Sequence, residues 1–274
     1  MRVSTRARAI MLALTITIVF FILENIDLLS LLDINFKFDF IELLLIAFIM
    51  YFGVAWVANF RISGERFITV LLFPSLSVFI LTLYIDLIIG SIFGDVSKLV
   101  TQIFASIVVA IISYVLVLTA NVLNVGFLEK IPLTQAGRAA HYVLTLISAY
   151  LFYSIIFNNS FSVIIKLGAV FLLTYLFTNI ALWTIDIRQN QRILSSFGIS
   201  LMLSNLTFVL MIWPIGSEYL ALILSLVYYM ALGVALEIRE VLNVRIWLEY
   251  GFIYFVIVLI LLIISSWGIN GRLI

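Results

Sequence analysis

The stretch ENIDLLSLLDINFKFDFIE sets Glu24, Asp27, Asp33, Asp39 and Glu42 against a single cation, Lys37. Carboxylates gathered beside a membrane can serve as general base or as metal ligands for a lipid-linked substrate. Ile34, Phe36, Phe38 and Phe40 alternate with Asn35, Lys37 and Asp39. An extended chain of this pattern turns its rings to one face and its polar groups to the other. The same acidity also follows from topology alone, because cations are retained on the inner side of a membrane and acids collect outside. No catalytic residue is therefore assigned. Enzymatic action on a lipid-linked substrate at the outer face stands as an alternative function.

Other polar groups interrupt apolar runs. Lys166, in FSVIIKLGAVF, is the one cation inside such a run. A charge in that position is a functional hypothesis, although a four-carbon stem can also snorkel to the headgroups. Asp86, in LYIDLIIG, lies near the same outer end of a different run. A pair between the two would satisfy both and mark an outward-facing cavity. Ser196, Ser200 and Ser204 recur every four residues with Thr207 three further on, so they share one helical face. Hydroxyls at this spacing build a close helix–helix seam, or they line a solute path on which Asn205 sits near mid-span. Lys166, Asp86, Asn205, Ser200 and Ser204 are the candidate binding residues.

Several chemistries lack their residues. The sequence contains no cysteine and one histidine, His141, which excludes thiolate metal sites and leaves His141 without a partner ligand. His141 is expected at the inner membrane interface. No H-E-x-x-H pair, phosphate-binding glycine loop or G-x-S-x-G elbow occurs, so no metal and no cofactor is expected. A net charge of +1 gives no electrostatic case for a nucleic-acid partner. The segments DIRQNQR and EIREVLNVR could dock a cytoplasmic protein or anionic headgroups, or simply remain solvated.

The elements that carry these groups follow from composition. Of 274 residues, 65% are hydrophobic and 11% charged, with mean hydropathy +1.28. A soluble domain is about half apolar and about a quarter charged, so the chain's natural solvent is a lipid bilayer. Long unbroken apolar runs select helices over a barrel, since each helix satisfies its own backbone. The fold class is all-α, a polytopic membrane bundle of about nine spans near 7–23, 41–60, 67–89, 99–122, 139–157, 161–183, 193–213, 219–236 and 247–267. With the N-terminus inside, eleven cations fall on inner segments and three, Lys37, Lys98 and Arg272, on outer ones. That bias fixes the N-terminus as cytoplasmic and the C-terminus as outside, in a cell membrane. Arg2, Arg6 and Arg8 before the first run also suit a signal peptide, but no small-x-small cleavage site follows and an uncleaved span is expected.

The chain reads as a single membrane-embedded domain without a soluble one, because no loop exceeds about twenty residues and a folded domain needs more than that. Val-Leu-Asn-Val recurs at Val122–Val125 and Val241–Val244, a hint of duplication or a coincidence of common residues. The polar stretch 118–144 reads as a helix end, an inner loop marked by Pro132, and a helix restarting near Ala139. The leading expectation is a bundle that binds or moves a small or lipidic solute. An accessory or scaffold protein without substrate is the runner-up.

Overall fold

The computed structural model describes residues 4–25, 39–60, 62, 64–89, 98–128, 133–185 and 187–237, together with 252, 255, 256 and 259. It is all-helical among the described residues. Eight α-helices follow in order: α1 (Thr5–Asn25), α2 (Asp39–Val57), α3 (Glu65–Tyr84), α4 (Lys98–Leu128), α5 (Leu133–Asn158), α6 (Val163–Trp183), α7 (Gln189–Leu210) and α8 (Ser217–Glu237). A π-helical turn, Ile85–Ile89, extends α3. Among the described residues seven helical stretches are long and apolar enough to cross a membrane, and Leu43–Val57 of α2 is a shorter apolar helix. The apolar helices point to a bilayer environment. Of the ninth expected span only Phe252, Phe255, Val256 and Leu259 are described; all four are helical and exposed. Asp27, Asp33 and the second Val-Leu-Asn-Val copy lie outside the described residues.

The chain divides into two compact units, Met1–Ser148 and Ala149–Ile274. In the first, α1 packs on α2 and α4, and α3 packs on α2 and α4, which closes a four-helix ring. Neighbours run antiparallel. At one end Arg8 of α1 donates to the Asn59 amide oxygen and to the Trp56 carbonyl, with its guanidinium 5.7 Å from the Trp56 ring centroid. A cation on the last carbonyls of α2 meets the negative end of that helix. Asn59 takes φ 54° there and closes the helix with a Phe60 N–H to Ala55 carbonyl bond of 2.8 Å. At the opposite end Gln102 of α4 reaches the Glu24 carbonyl of α1 at 3.5 Å.

Close approach of α1 and α2 depends on Gly53, where any Cβ would run into the buried Leu12 side chain. Gly53→Ile is expected to lower stability by about 1–3 kcal/mol through overpacking, read as a fall in thermal midpoint of the purified protein. An unchanged midpoint would show that Leu12 has room to swing away.

Two local expectations are refined. Residues 118–144 are more helical than their polarity implies: α4 continues to Leu128 and α5 begins at Leu133, with Gly137 of α5 set against Val122 of α4. Apolar residues mark where lipid ends, whereas a helix can run on into water. Because α5 starts early, His141 lies two turns inside it. It is buried in the protein, 3% exposed, with its ring 4.2 Å from that of Phe73. Pro74 sits inside an unbroken α3, and the Ser75 hydroxyl bonds the Leu71 carbonyl at 2.5 Å.

In the second unit α6 and α7 form the most extensive pair, and α8 packs mainly on α7 and also on α6. The C-terminal turns of α5 join them through side-chain hydrogen bonds described next.

Candidate functional site

Tyr150, Ser154 and Asn158 stand four residues apart on α5, so successive turns aim them along one stripe. Glu218, the second residue of α8, faces that stripe. Its Oε2 accepts from the Ser154 hydroxyl at 2.8 Å and from the Tyr150 hydroxyl at 3.3 Å; its Oε1 accepts from the Asn158 amide at 2.8 Å. Ser217 donates to the Asn158 amide oxygen at 2.6 Å. This fixes the amide's orientation, because the flipped form would set an oxygen against the carboxylate. Ser154 is buried, Tyr150 and Glu218 are half-buried and Asn158 is exposed. The cluster therefore opens to the surface at the ends of α5 and α8.

The same unit buries two hydroxyl pairs of its own. The Tyr153 and Thr174 hydroxyls are 2.8 Å apart, and Thr178 donates to the Tyr228 hydroxyl at 3.4 Å. The two tyrosine rings meet edge to face, 6.5 Å between centroids. All four side chains are fully buried. Tyr228 follows Glu218 by ten residues, which is about 15 Å of helix. Tyr153 itself lies between Tyr150 and Ser154 on α5, on a different side of the helix from that stripe.

The candidates read from sequence fall in different places. Ser200 and Ser204 occupy the packed side of α7. Ser200 is buried and bonds the Phe197 carbonyl at 2.9 Å, while Ser204 crosses to the Leu167 carbonyl of α6 at 3.1 Å. Ser196 and Thr207 are also fully buried and return their hydroxyls to carbonyls of their own helix, at 2.8 Å each. Asn205 is exposed, on the side of Leu201, Met202, Phe208 and Val209. One residue advances the helix by about 100° (3.6 per turn), so Asn205 leaves the face that Ser204 occupies. Lys166 is half-buried in the first turn of α6, in the second unit. Asp86 is exposed on the π-helical turn of the first unit. Among the described residues no group of three His, Asp or Glu is placed to hold a metal.

Glu218 and its donors were not singled out from sequence. The available signal was the 150, 154, 158 spacing on an apolar helix, but the carboxylate that answers it lies sixty residues away from Asn158. Comparison with protein-family models, curated proteins and solved structures found no match.

The arrangement has defined chemical abilities. A carboxylate accepts hydrogen bonds only, and two oxygens offer about four acceptor directions. Three are used here, so Glu218 retains capacity for a proton, a small cation, or an ammonium or hydroxyl group arriving past Asn158. The sequence has no thiol to accompany it.

Proposed function

We propose that this chain is a nine-span protein of the cell membrane, N-terminus inside and C-terminus outside, that binds or moves a small or lipidic solute within its helical bundle. The supporting observation is the Glu218 cluster. An ionisable group held by donors from three turns of α5 is more than helix packing requires, since apolar and small side chains pack helices in lipid without it. Polar and ionisable groups within a membrane bundle cluster along substrate and ion routes. A solute carrying hydrogen-bond donors or positive charge suits an acceptor of this kind. Lys166, Asp86, Ser200, Ser204 and Asn205 remain secondary candidates for contact along such a route.

A scaffold role is favoured by a different observation, the closed α6–α7 seam, where Ser196, Ser200 and Thr207 are fully buried and bonded within the protein. Cysteine accessibility separates the two roles, because the natural chain has none. In sealed vesicles, Cys at Asn35, Asp95 or Ser217 should react with an impermeant thiol reagent from outside, and Cys at Ser63, Gln135 or Asn190 should not. The opposite pattern would overturn the topology. A solute route further requires that Thr174→Cys and Thr178→Cys react more slowly than Ser154→Cys, but measurably. If Ser154→Cys reacts while both threonine positions stay inert, the buried hydroxyl pairs are sealed from any solute and the scaffold role stands.

A further inference from the structure

On the outward side of the α6–α7 pair an open groove of about 510 Å³ is lined by Phe171, Tyr175, Asn190, Ile193, Leu194 and Phe197. Its walls are ordered aromatics. Phe171 and Tyr175 stack with ring planes 9° apart, and Phe197 meets Phe171 edge to face at 5.6 Å. Leu194 is 73% exposed and Phe197 49% exposed, so the groove has no cover from the described protein. Its volume falls within the range of small-ligand pockets, about 300–1,000 Å³.

Direction and polarity narrow the occupant. Asn190 lies in the first turn of α7 and Phe197 two turns further in; on α6 the lining residues Tyr175 and Phe171 lie successively deeper from its C-terminal end. The groove therefore runs along the helices, from their shared end toward mid-span, over about 10 Å at the helical rise. The bottom is wholly apolar. The mouth is polar and basic: exposed Arg188 precedes Asn190 by two residues and makes no side-chain capping bond, and Gln189 and Gln191 are exposed beside it. Arg188 is the exposed cation of this turn, whereas Arg192 is buried, 8% exposed. An elongated occupant with an apolar tail and an anionic head fits both ends.

We propose that this groove is a binding site for one anionic phospholipid, its acyl chain against Phe171, Leu194 and Phe197 and its phosphate at Arg188. Basic groups at membrane level recognise anionic headgroups in this way. The site shares no residue with the Glu218 cluster, so either can fail without the other. It depends on the α6–α7 turn lying at a membrane surface, not on which surface.

The test uses the full chain in mild detergent, titrated with dioleoyl phosphatidylglycerol or dioleoyl phosphatidylcholine, with retained lipid counted by native mass spectrometry. Phosphatidylglycerol should be retained at least fivefold more strongly than phosphatidylcholine. Leu194→Trp, which fills the groove, should reduce retention of both. Arg188→Gln should abolish the preference while leaving phosphatidylcholine unchanged. Ile193→Phe serves as a second filling variant if the tryptophan impairs folding, and thermal midpoints confirm that each variant is folded. Equal retention of the two lipids by the natural protein overturns the proposal, leaving ordinary annular lipid. So does a preference that survives both the filling and the Arg188 substitutions. A dimer lost on filling the groove, with lipid retention unaltered, would assign the surface to a second copy of the chain instead.

Discussion

Tyr153→Ala should be the most damaging truncation in the second unit, costing about 3 kcal/mol, the lower end of the range for deleting a buried aromatic. Tyr153 is among the largest fully buried side chains, and it contacts the Tyr228 ring while bonding Thr174. In lipid the transfer part of the loss is muted, because hydrocarbon replaces water as the alternative surroundings. The dispersion contacts around an empty ring volume are lost regardless. Tyr153→Phe separates the hydroxyl from the ring. It should cost only about 1 kcal/mol, the scale of single hydrogen bonds between membrane helices, since Thr174 can turn to a carbonyl of its own helix. Combining it with Thr174→Val should recover part of that loss, because no polar group is then left waiting. Unfolding in mixed micelles measures all four proteins. If the phenylalanine variant proves as unstable as the alanine one, the hydroxyl pair rather than ring packing holds α5 to α6.

That contrast illustrates what the sequence could reveal. The helices were legible because lipid forces every backbone group to be satisfied within its own segment, and the apolar runs therefore coincide with helices. Their ends were less so. Val122 and Ala139 mark the expected limits of hydrocarbon, yet α4 reaches Leu128 and α5 begins at Leu133. Inward faces were harder still. In α6 and α8 apolar residues occupy every side, so no stripe distinguishes lipid from protein, and only hydroxyls at four-residue spacing give a direction. The rule worked for Ser196 and Ser200 on α7, both fully buried. It could not place Asn205, one position off that face, nor indicate that the 150, 154, 158 stripe meets Glu218. Partners distant in sequence are fixed by how helices dock, and one sequence without its tertiary contacts does not contain that information in readable form.

Glu218 provides the second large effect, and it distinguishes function from architecture. Glu218→Leu leaves the Tyr150 and Ser154 hydroxyls and the Asn158 amide without their shared acceptor. Hydrogen bonds to a charged group are each worth about 1.5–3 kcal/mol when buried. Exposure at Asn158 lets water replace part of that, so the expected loss is about 2 kcal/mol. Glu218→Gln preserves shape and one acceptor oxygen, but its NH2 must face a donor, and about 1 kcal/mol is expected to be lost. Stability alone would make the cluster a rivet between α5 and α8. Solute binding adds a different requirement, namely that the charge itself matters beyond the fold. Sodium, potassium and ethanolamine supply three simple probes of that charge. At least one should raise the thermal midpoint of the natural protein and have no effect on the largely folded Glu218→Gln variant. Should every probe act equally on both, or on neither, the carboxylate is structural and the solute role loses its principal support. A selective loss in the glutamine variant would instead mean that the donors of α5 hold Glu218 ready for an arriving cation or hydroxyl.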